Sequence, residues 1–300
     1  MELDNGLLSL QNWINEAQNK RVDFLEYCLD LQARELEITP ETLLERMIKM
    51  LEVMEESIAT GLSGIPSKGG LVGGNAQRLQ QSIKENGTFI LGDTLLTAVT
   101  YAIAVGEANA AMGRIVAAPT AGASGILPAV LFTLKDTRGV SMTELAKGLI
   151  VAGVIGMVIA ARATLSGAEG GCQAECGSGA AMAAGAAVAL CNGSPEAVGH
   201  AVAIALKNML GLVCDPVAGL VEVPCVKRNA GAVSQALTAA EMALAGIKSI
   251  IPVDEVIDAM KSVGQSLHCS LKETAQGGLA VTPTGQVLAE KILRKSPSDR

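Results

Sequence analysis

The sequence predicts an all-α fold: a helical bundle packed through Ala- and Gly-rich helices, with glycine-rich loops around a metal cluster. Three observations predict it. The 300 residues are 49% hydrophobic but only 2% aromatic, and 45 alanines and 33 glycines supply small side chains that let helix axes approach closely. Apolar residues recur at helical spacing, and no alternating, strand-like segment exceeds about five residues. Five of the seven cysteines fall within Cys172–Cys225, three of them in loops marked by glycine or proline.

Residues 3–36 read as one amphipathic helix, because Leu7, Leu10, Ile14, Ala17, Phe24, Cys28 and Leu31 recur at spacings near three, four and seven. Thr39-Pro40-Glu41 supplies an N-cap, a proline at the first helical position and an early acid. The helix it starts runs to about Ala59 and stops at Gly61. These charged helices form a first unit, residues 1–60, suited to cover a core or dock a partner. Residues 61–300 form a second, all-helical, cluster-binding unit. It opens on GLSGIPSKGGLVGG, with six glycines in 14 residues, a loop whose backbone can approach a ligand closely. Helices follow at about 93–112, 124–135, 143–163, 178–191, 195–209, 229–247 and 253–264, with Ser141 and Ser194-Pro195 as starts.

A net charge of −7 and a pI near 5.0 argue against nucleic acid as a partner. The N-terminus is polar and acidic and does not read as a signal peptide, so the expected location is the cytoplasm. Mean hydropathy is +0.38, and the most apolar run is Leu149–Ala161, bracketed by Lys147 and Arg162. Those charges leave 14 residues between them. A spanning helix needs about 20, so the run reads as a buried helix and no membrane is expected.

Cys28 and Cys191 lie on helices and read as core side chains. Cys172 (SGAEGGC), Cys214 (GLVCDPVAGL) and Cys225 (VEVPC) lie in loops that can aim a thiolate inward. Thiolates select zinc, copper(I) or iron–sulfur clusters. Three without a clear fourth suit a [4Fe–4S] cluster with one open iron better than a closed structural zinc site. Cys176 is a rival ligand, four residues beyond Cys172. The histidines are His200 and His268; the first lies in an apolar helix, the second in a loop-like stretch, where it is a candidate catalytic group. With so few histidines, the general base falls to Lys, Glu or another chain.

Three further stretches read as ligand loops. Ser67-Lys68 offers a cation beside exposed backbone donors, and Lys68 is the other catalytic candidate. Thr120, Gly122 and Ser124 open a helix, and Ser166 precedes the first loop cysteine. No phosphate-binding glycine motif or nucleophile elbow matches, and no lysine motif speaks for pyridoxal phosphate.

At these residues the chain resembles the α chain of the bacterial iron–sulfur-dependent L-serine dehydratases. The matching stretches are APTAGASGILPAVL, SGAEGGCQAECGSGAAMAA, GLVCDPVAGLVEVPCVKRNA and KETAQGGLAV, which cover most of residues 60–280. The resemblance implies an all-helical catalytic domain and a [4Fe–4S] cluster on Cys172, Cys214 and Cys225, without pyridoxal phosphate. It implies deamination of L-serine to pyruvate and ammonia. It does not extend the ligand role to Cys176, Cys191 or Cys269. Single-chain members carry a further N-terminal domain with a His-containing motif, so this chain is similar to the type in which a β chain supplies that domain. Some members end in a Cys that reaches the cluster; here the chain runs past GGLAV to SPSDR, leaving the fourth position to water, substrate or a partner group. Serine's hydroxide is a poor leaving group, and an open iron would stabilise its departure as a Lewis acid. Lys68, Thr120–Ser124 and Ser166 are the expected carboxylate holders. The alternatives are a cluster lyase on another small amino acid such as L-cysteine, or a non-enzymatic cluster-bearing subunit.

Overall fold

The protein is described from a computed structural model that covers residues 8–87 and 90–294, so Leu7 and SPSDR lie outside the described residues. Among the described residues the fold is all-helical. The first helices are α1 Leu10–Lys20, α2 Phe24–Glu35, α3 Pro40–Leu62, α4 Asn75–Asn86 and α5 Gly92–Ala110. Next come α6 Ile126–Arg138, α7 Met142–Arg162, α8 Gly167–Gly170, α9 Ser178–Leu190 and α10 Pro195–Met209. The last are α11 Cys225–Leu244, α12 Val253–Ser266 and α13 Pro283–Leu293. Isolated bridges join Pro66 to Gly73 and Cys214 to Lys272.

The centre of the bundle is α9, whose 13 residues (SGAAMAAGAAVAL) are all buried. A helix without a polar face has to be surrounded, and α6, α7, α10 and α11 surround it. Glycine makes the fit possible. A Cβ at Gly185 would lie 2.3 Å from Ile155 Cδ1 of α7, and one at Gly148 would lie 2.8 Å from Leu190 Cδ1 of α9. A second layer forms where α5 packs on α3, α4 and α11. There Gly61 of α3 meets the backbone of α5: a Cβ would stand 1.9 Å from the Ala104 carbonyl oxygen. Gly61→Ala must therefore push the two helices apart, at a cost of about 3 kcal/mol. At about 2 °C per kcal/mol, the thermal midpoint should fall by roughly 6 °C. Gly153 of α7 faces open space, so Gly153→Ala should hold or raise the midpoint.

The first three helices share this core. Leu10, Trp13, Phe24, Leu25 and Leu51 belong to the same buried cluster as Ile155 and Val202. Trp13 and Tyr27 meet edge to face at 6.0 Å. Ser9 Oγ and the Leu10 N–H both donate to Asp254, at 2.5 and 3.0 Å, tying α1 to α12.

Three readings differ in the structure, and a fourth, the buried helix at Leu149–Ala161, agrees with it. The expected single helix over 3–36 is broken at Arg21, which adopts left-handed backbone, and restarts at Asp23, whose carboxylate accepts from the Leu25 and Glu26 N–H groups. Ala17 and Phe24 are seven residues apart, so the apolar phase runs on through the break and hides it. Unanticipated α4 has few apolar residues and no side-chain cap of its own. Equally unanticipated, α13 opens on Thr282-Pro283, the same cap signal as Thr39-Pro40. The run Leu149–Ala161 belongs to α7, a 21-residue helix of mean hydropathy 1.9. It is long and apolar enough to cross a membrane, and 67% of its apolar window is buried inside the protein.

Candidate active site

Around the Glu175 carboxylate, three separate segments meet. Cys172 ends a glycine turn and leads into a π-helical turn, Gln173–Gly177, that runs directly into α9. Such turns are frequent at functional sites because they re-aim side chains. Glu175 lies within it and points at the loop before α6, where Thr120 Oγ1 donates to Glu175 Oε1 at 2.7 Å. The other oxygen, Oε2, lies 3.9 Å from Cys214 Sγ. Two glycines keep this carboxylate open. A Cβ at Gly167 would lie 2.5 Å from Oε2 and 3.3 Å from Cys214 Sγ, and one at Gly122 would lie 3.4 Å from Oε1. Burial raises the Glu175 carboxyl above the usual range, against the Thr120 hydrogen bond, and Glu273 adds to the rise.

The thiols stand in different settings: Cys214 lies in a loop, Cys172 leads into the π-helical turn, and Cys225, expected in a loop, is the first residue of α11. Cys172 and Cys176 share a hydrogen bond, with sulfurs 3.3 Å apart. That bond, aided by the Arg228 guanidinium, holds Cys172 below the usual thiol range, while Cys176 is pushed far above it by the same bond and by burial. Burial pushes Cys225 up to about 12, with Cys172 and Glu175 adding charge repulsion. Cys214 is raised for the same reasons, burial first. Among the described residues, no three His, Cys, Asp or Glu side chains stand close enough to hold a single metal ion.

Buried polar side chains fix the loops. Asn229, one turn into α11, donates to the Gly122 and Cys225 carbonyls at 2.7 and 2.9 Å and accepts from the Gly125 N–H at 2.9 Å. Asp215, beside Cys214, pairs with Arg228 at 2.8 Å and accepts from the Leu279 N–H at 2.7 Å. Arg228 also donates to the Val213 carbonyl. Cys214 itself is held by its backbone: its N–H donates to Leu271 and its carbonyl accepts from Glu273. Glu222, three residues before Cys225, accepts from Ser67 Oγ at 2.7 Å and from the Gly69 and Leu71 N–H groups at 2.7 and 3.0 Å. The start of α4 is capped from α5 by fully buried Glu107.

The structure thus brings Thr120, Gly122, Gly167 and Cys214 to one carboxylate, with Ser166 next to Gly167 and Cys172 three residues before Glu175 in the chain. The remaining candidates fall elsewhere. Ser67 acts inside its loop, bound to Glu222 and accepting from the Gly70 and Val72 N–H groups. Ser124 is buried and donates to the Ala121 carbonyl of its own turn. Lys68 is exposed, its N–H bonded to the Ala110 carbonyl. His268 is exposed and caps a short turn, with Nδ1 2.8 Å from Ser270 Oγ. Sequence reasoning missed Glu175, Glu222, Asp215, Arg228, Asn229 and Glu107. The available signal for the three glutamates was a lone charge inside an apolar run (QAECGS, LVEVPC, AVGEANAA) in a chain only 18% charged.

A family model described as serine dehydratase alpha chain matches residues 14–280. A probable L-serine dehydratase alpha chain of Bacillus subtilis is 52% identical over 263 residues, covering 87% of each chain. The L-serine dehydratase alpha chain of Peptoniphilus asaccharolyticus is 40% identical over 94% of this chain and 97% of its own. An L-serine dehydratase of Streptomyces coelicolor is 49% identical over 60% of this chain but only 40% of its own length. With a match that spans both the cysteine loops and the Glu175 turn, this chain belongs to the serine dehydratase alpha chain family.

Proposed function

We propose that this chain is the α chain of a cytoplasmic two-chain enzyme that deaminates L-serine to pyruvate and ammonia, with a [4Fe–4S] cluster on Cys172, Cys214 and Cys225. The observation that carries this reading is the meeting of the Thr120, Ser166 and Cys214 loops at Glu175. The donor set fits the cluster. Soft thiols suit iron–sulfur chemistry, and the Cys214 sulfur lies 3.9 Å from the carboxylate of the turn that Cys172 opens, which supports this reading. Among the described residues these thiols do not converge on a single ion. When bound, a cluster with an open iron supplies Lewis-acid polarisation of the leaving hydroxyl.

The chain's own residues bind and orient the substrate. The Thr120 proton is committed to Glu175 Oε1, so the Thr120 oxygen and Glu175 Oε2 remain as acceptors. Acceptors suit the α-ammonium of serine, not its carboxylate. Gly122 and Gly167 leave the room that a side chain would fill. Ser166 is then the hydroxyl offered to the substrate carboxylate, while Ser67 and Ser124 hold backbone. The base that takes the Cα proton is assigned to the β chain. His200 bonds Glu196 at 3.4 Å and His268 caps its own turn, leaving Lys68 as the candidate on this chain. The helices of residues 1–60 are proposed to cover the catalytic unit of 61–300 and dock the β chain.

Anaerobic reconstitution should load about four irons and four sulfides per chain, and adding the β chain should yield pyruvate from serine. Zinc or no metal would overturn the reading. Full activity from this chain alone would overturn the assignment of the base. In the two-chain enzyme, Glu175→Gln should raise the serine KM by about 10- to 100-fold, as expected for a lost charge-assisted bond, with iron content unchanged. An unchanged KM, or lost iron, would remove Glu175 from substrate binding.

A further inference from the structure

We infer that Cys172 and Cys176 form an oxidative modification site, a dithiol that hydrogen peroxide closes to a disulfide and so withdraws Cys172 from iron. The consequence for iron rests on the proposed ligand role of Cys172; the dithiol does not. Among the described residues this is the one pair of cysteine sulfurs in contact, 3.3 Å apart. Both residues are largely buried, at 3% and 1% exposure, and their sulfurs face one another. The two cysteines stand four residues apart across the π-helical turn that leads into α9, with their sulfurs already in contact. Of the five remaining cysteines, Cys28 is on α2, Cys191 ends α9, Cys214 Sγ lies 3.9 Å from Glu175 Oε2, Cys225 opens α11, and Cys269 is exposed beside His268.

The pair also makes sense of Cys176. Two thiolates on one tetrahedral ion, at 2.3 Å each, stand about 3.8 Å apart, further than these sulfurs do. In the metal-free protein Cys176 therefore has the Cys172 sulfur as its partner. With iron bound, the Cys172 sulfur is engaged. Once iron is lost, the Cys172 sulfur attacks a peroxide oxygen; the S–O bond forms, the O–O bond breaks, and water leaves. The Cys176 sulfur then attacks the sulfenic sulfur; the S–S bond forms, the S–O bond breaks, and a second water leaves with the Cys176 proton. Two thiols lose two electrons and one peroxide gains them.

The test uses the full chain, stripped of iron with a chelator without oxygen, exposed to hydrogen peroxide, alkylated and digested. Mass spectrometry should find Cys172 and Cys176 joined within one peptide and unalkylated, while Cys214 and Cys225 remain alkylated. The oxidised chain should refuse iron until a dithiol reductant is added, and then reload as fully as an untreated sample. Cys176→Ser has no second thiol, so its Cys172 should proceed to sulfinic acid and should not reload after reductant. Cys176→Ala, matched to the alanine-lined helix, repeats the comparison should the serine variant fold poorly. A link from Cys172 to any other cysteine, no link at all, or equal recovery by the Cys176 variants would overturn the inference. A chain that forms the link yet never takes iron would keep the modification site and defeat the cluster reading instead.

Discussion

Cys214→Ser is expected to abolish iron loading and serine turnover together, with activity in the two-chain enzyme falling by more than about 100-fold. The position makes the outcome interpretable. The Cys214 backbone is held by Leu271 and Glu273 and not by its sulfur, so the chain's path should survive the exchange. What changes is the donor: a hydroxyl is hard and stays protonated, where iron requires a soft thiolate. Cys172→Ser and Cys225→Ser should behave alike. Cys28→Ser, buried on α2 within the core, should keep its iron, although a hydroxyl placed there costs some stability. Iron and labile sulfide per chain, read beside pyruvate formation, check all four. Full iron in the Cys214 variant would break the ligand assignment.

Glu107→Ala is expected to be the most damaging single change to stability outside the central helices. The carboxylate is fully buried on α5. Its Oε1 accepts from the Gly73 and Asn75 N–H groups and the Asn75 side chain, at 3.0, 2.9 and 2.5 Å, and Oε2 from the Ala76 N–H at 3.3 Å. Truncation strands three backbone donors at once and uncaps α4. At about 1–3 kcal/mol for each buried donor left unpaired, relaxation included, the net loss should be about 4 kcal/mol. The thermal midpoint should drop by roughly 8 °C at about 2 °C per kcal/mol. Glu107→Gln keeps one acceptor oxygen, enough for the three contacts now made by Oε1, and should recover at least half of the loss. Equal midpoints for the alanine and glutamine variants would show that the hydrogen bonds are not what matters at this position.

The damage should reach the site as well. Glu107 and Glu222 hold opposite ends of the glycine-rich loop over 64–74, and Glu222 stands three residues before Cys225. A loop with five glycines between Gly64 and Gly74 has little structure of its own. Buried carboxylates remote in sequence, Glu107 on α5 and Glu222 in the bend before α11, impose its path.

How much could be read in advance divides along these lines. The all-α class followed from composition and period: small aliphatic side chains, few aromatics and recurrence at helical spacing leave little besides a close-packed bundle. Caps at Thr39-Pro40, Ser141 and Ser194-Pro195 are local chemistry, and the helices begin where those residues stand. The break at Arg21–Asp23 and the existence of α4 escaped because neither changes the local pattern. One preserves the apolar phase, and the other is capped by Glu107 from α5.

For the site, the sequence exposed its cysteines and glycine loops, since clustering of rare residue types is visible along one dimension. It could not rank the hydroxyls within those loops. Ser67 and Ser124 carry the same chemistry as Thr120, yet they bond within their own loops or to Glu222, while Thr120 reaches Glu175, 55 residues away. A hydroxyl or carboxylate becomes a support or a substrate contact according to which partner packing delivers, and those partners are remote in sequence. Residue type and spacing named the kinds of chemistry present in this chain. Burial and long-range hydrogen bonding chose which residues hold the loops and which meet at Glu175.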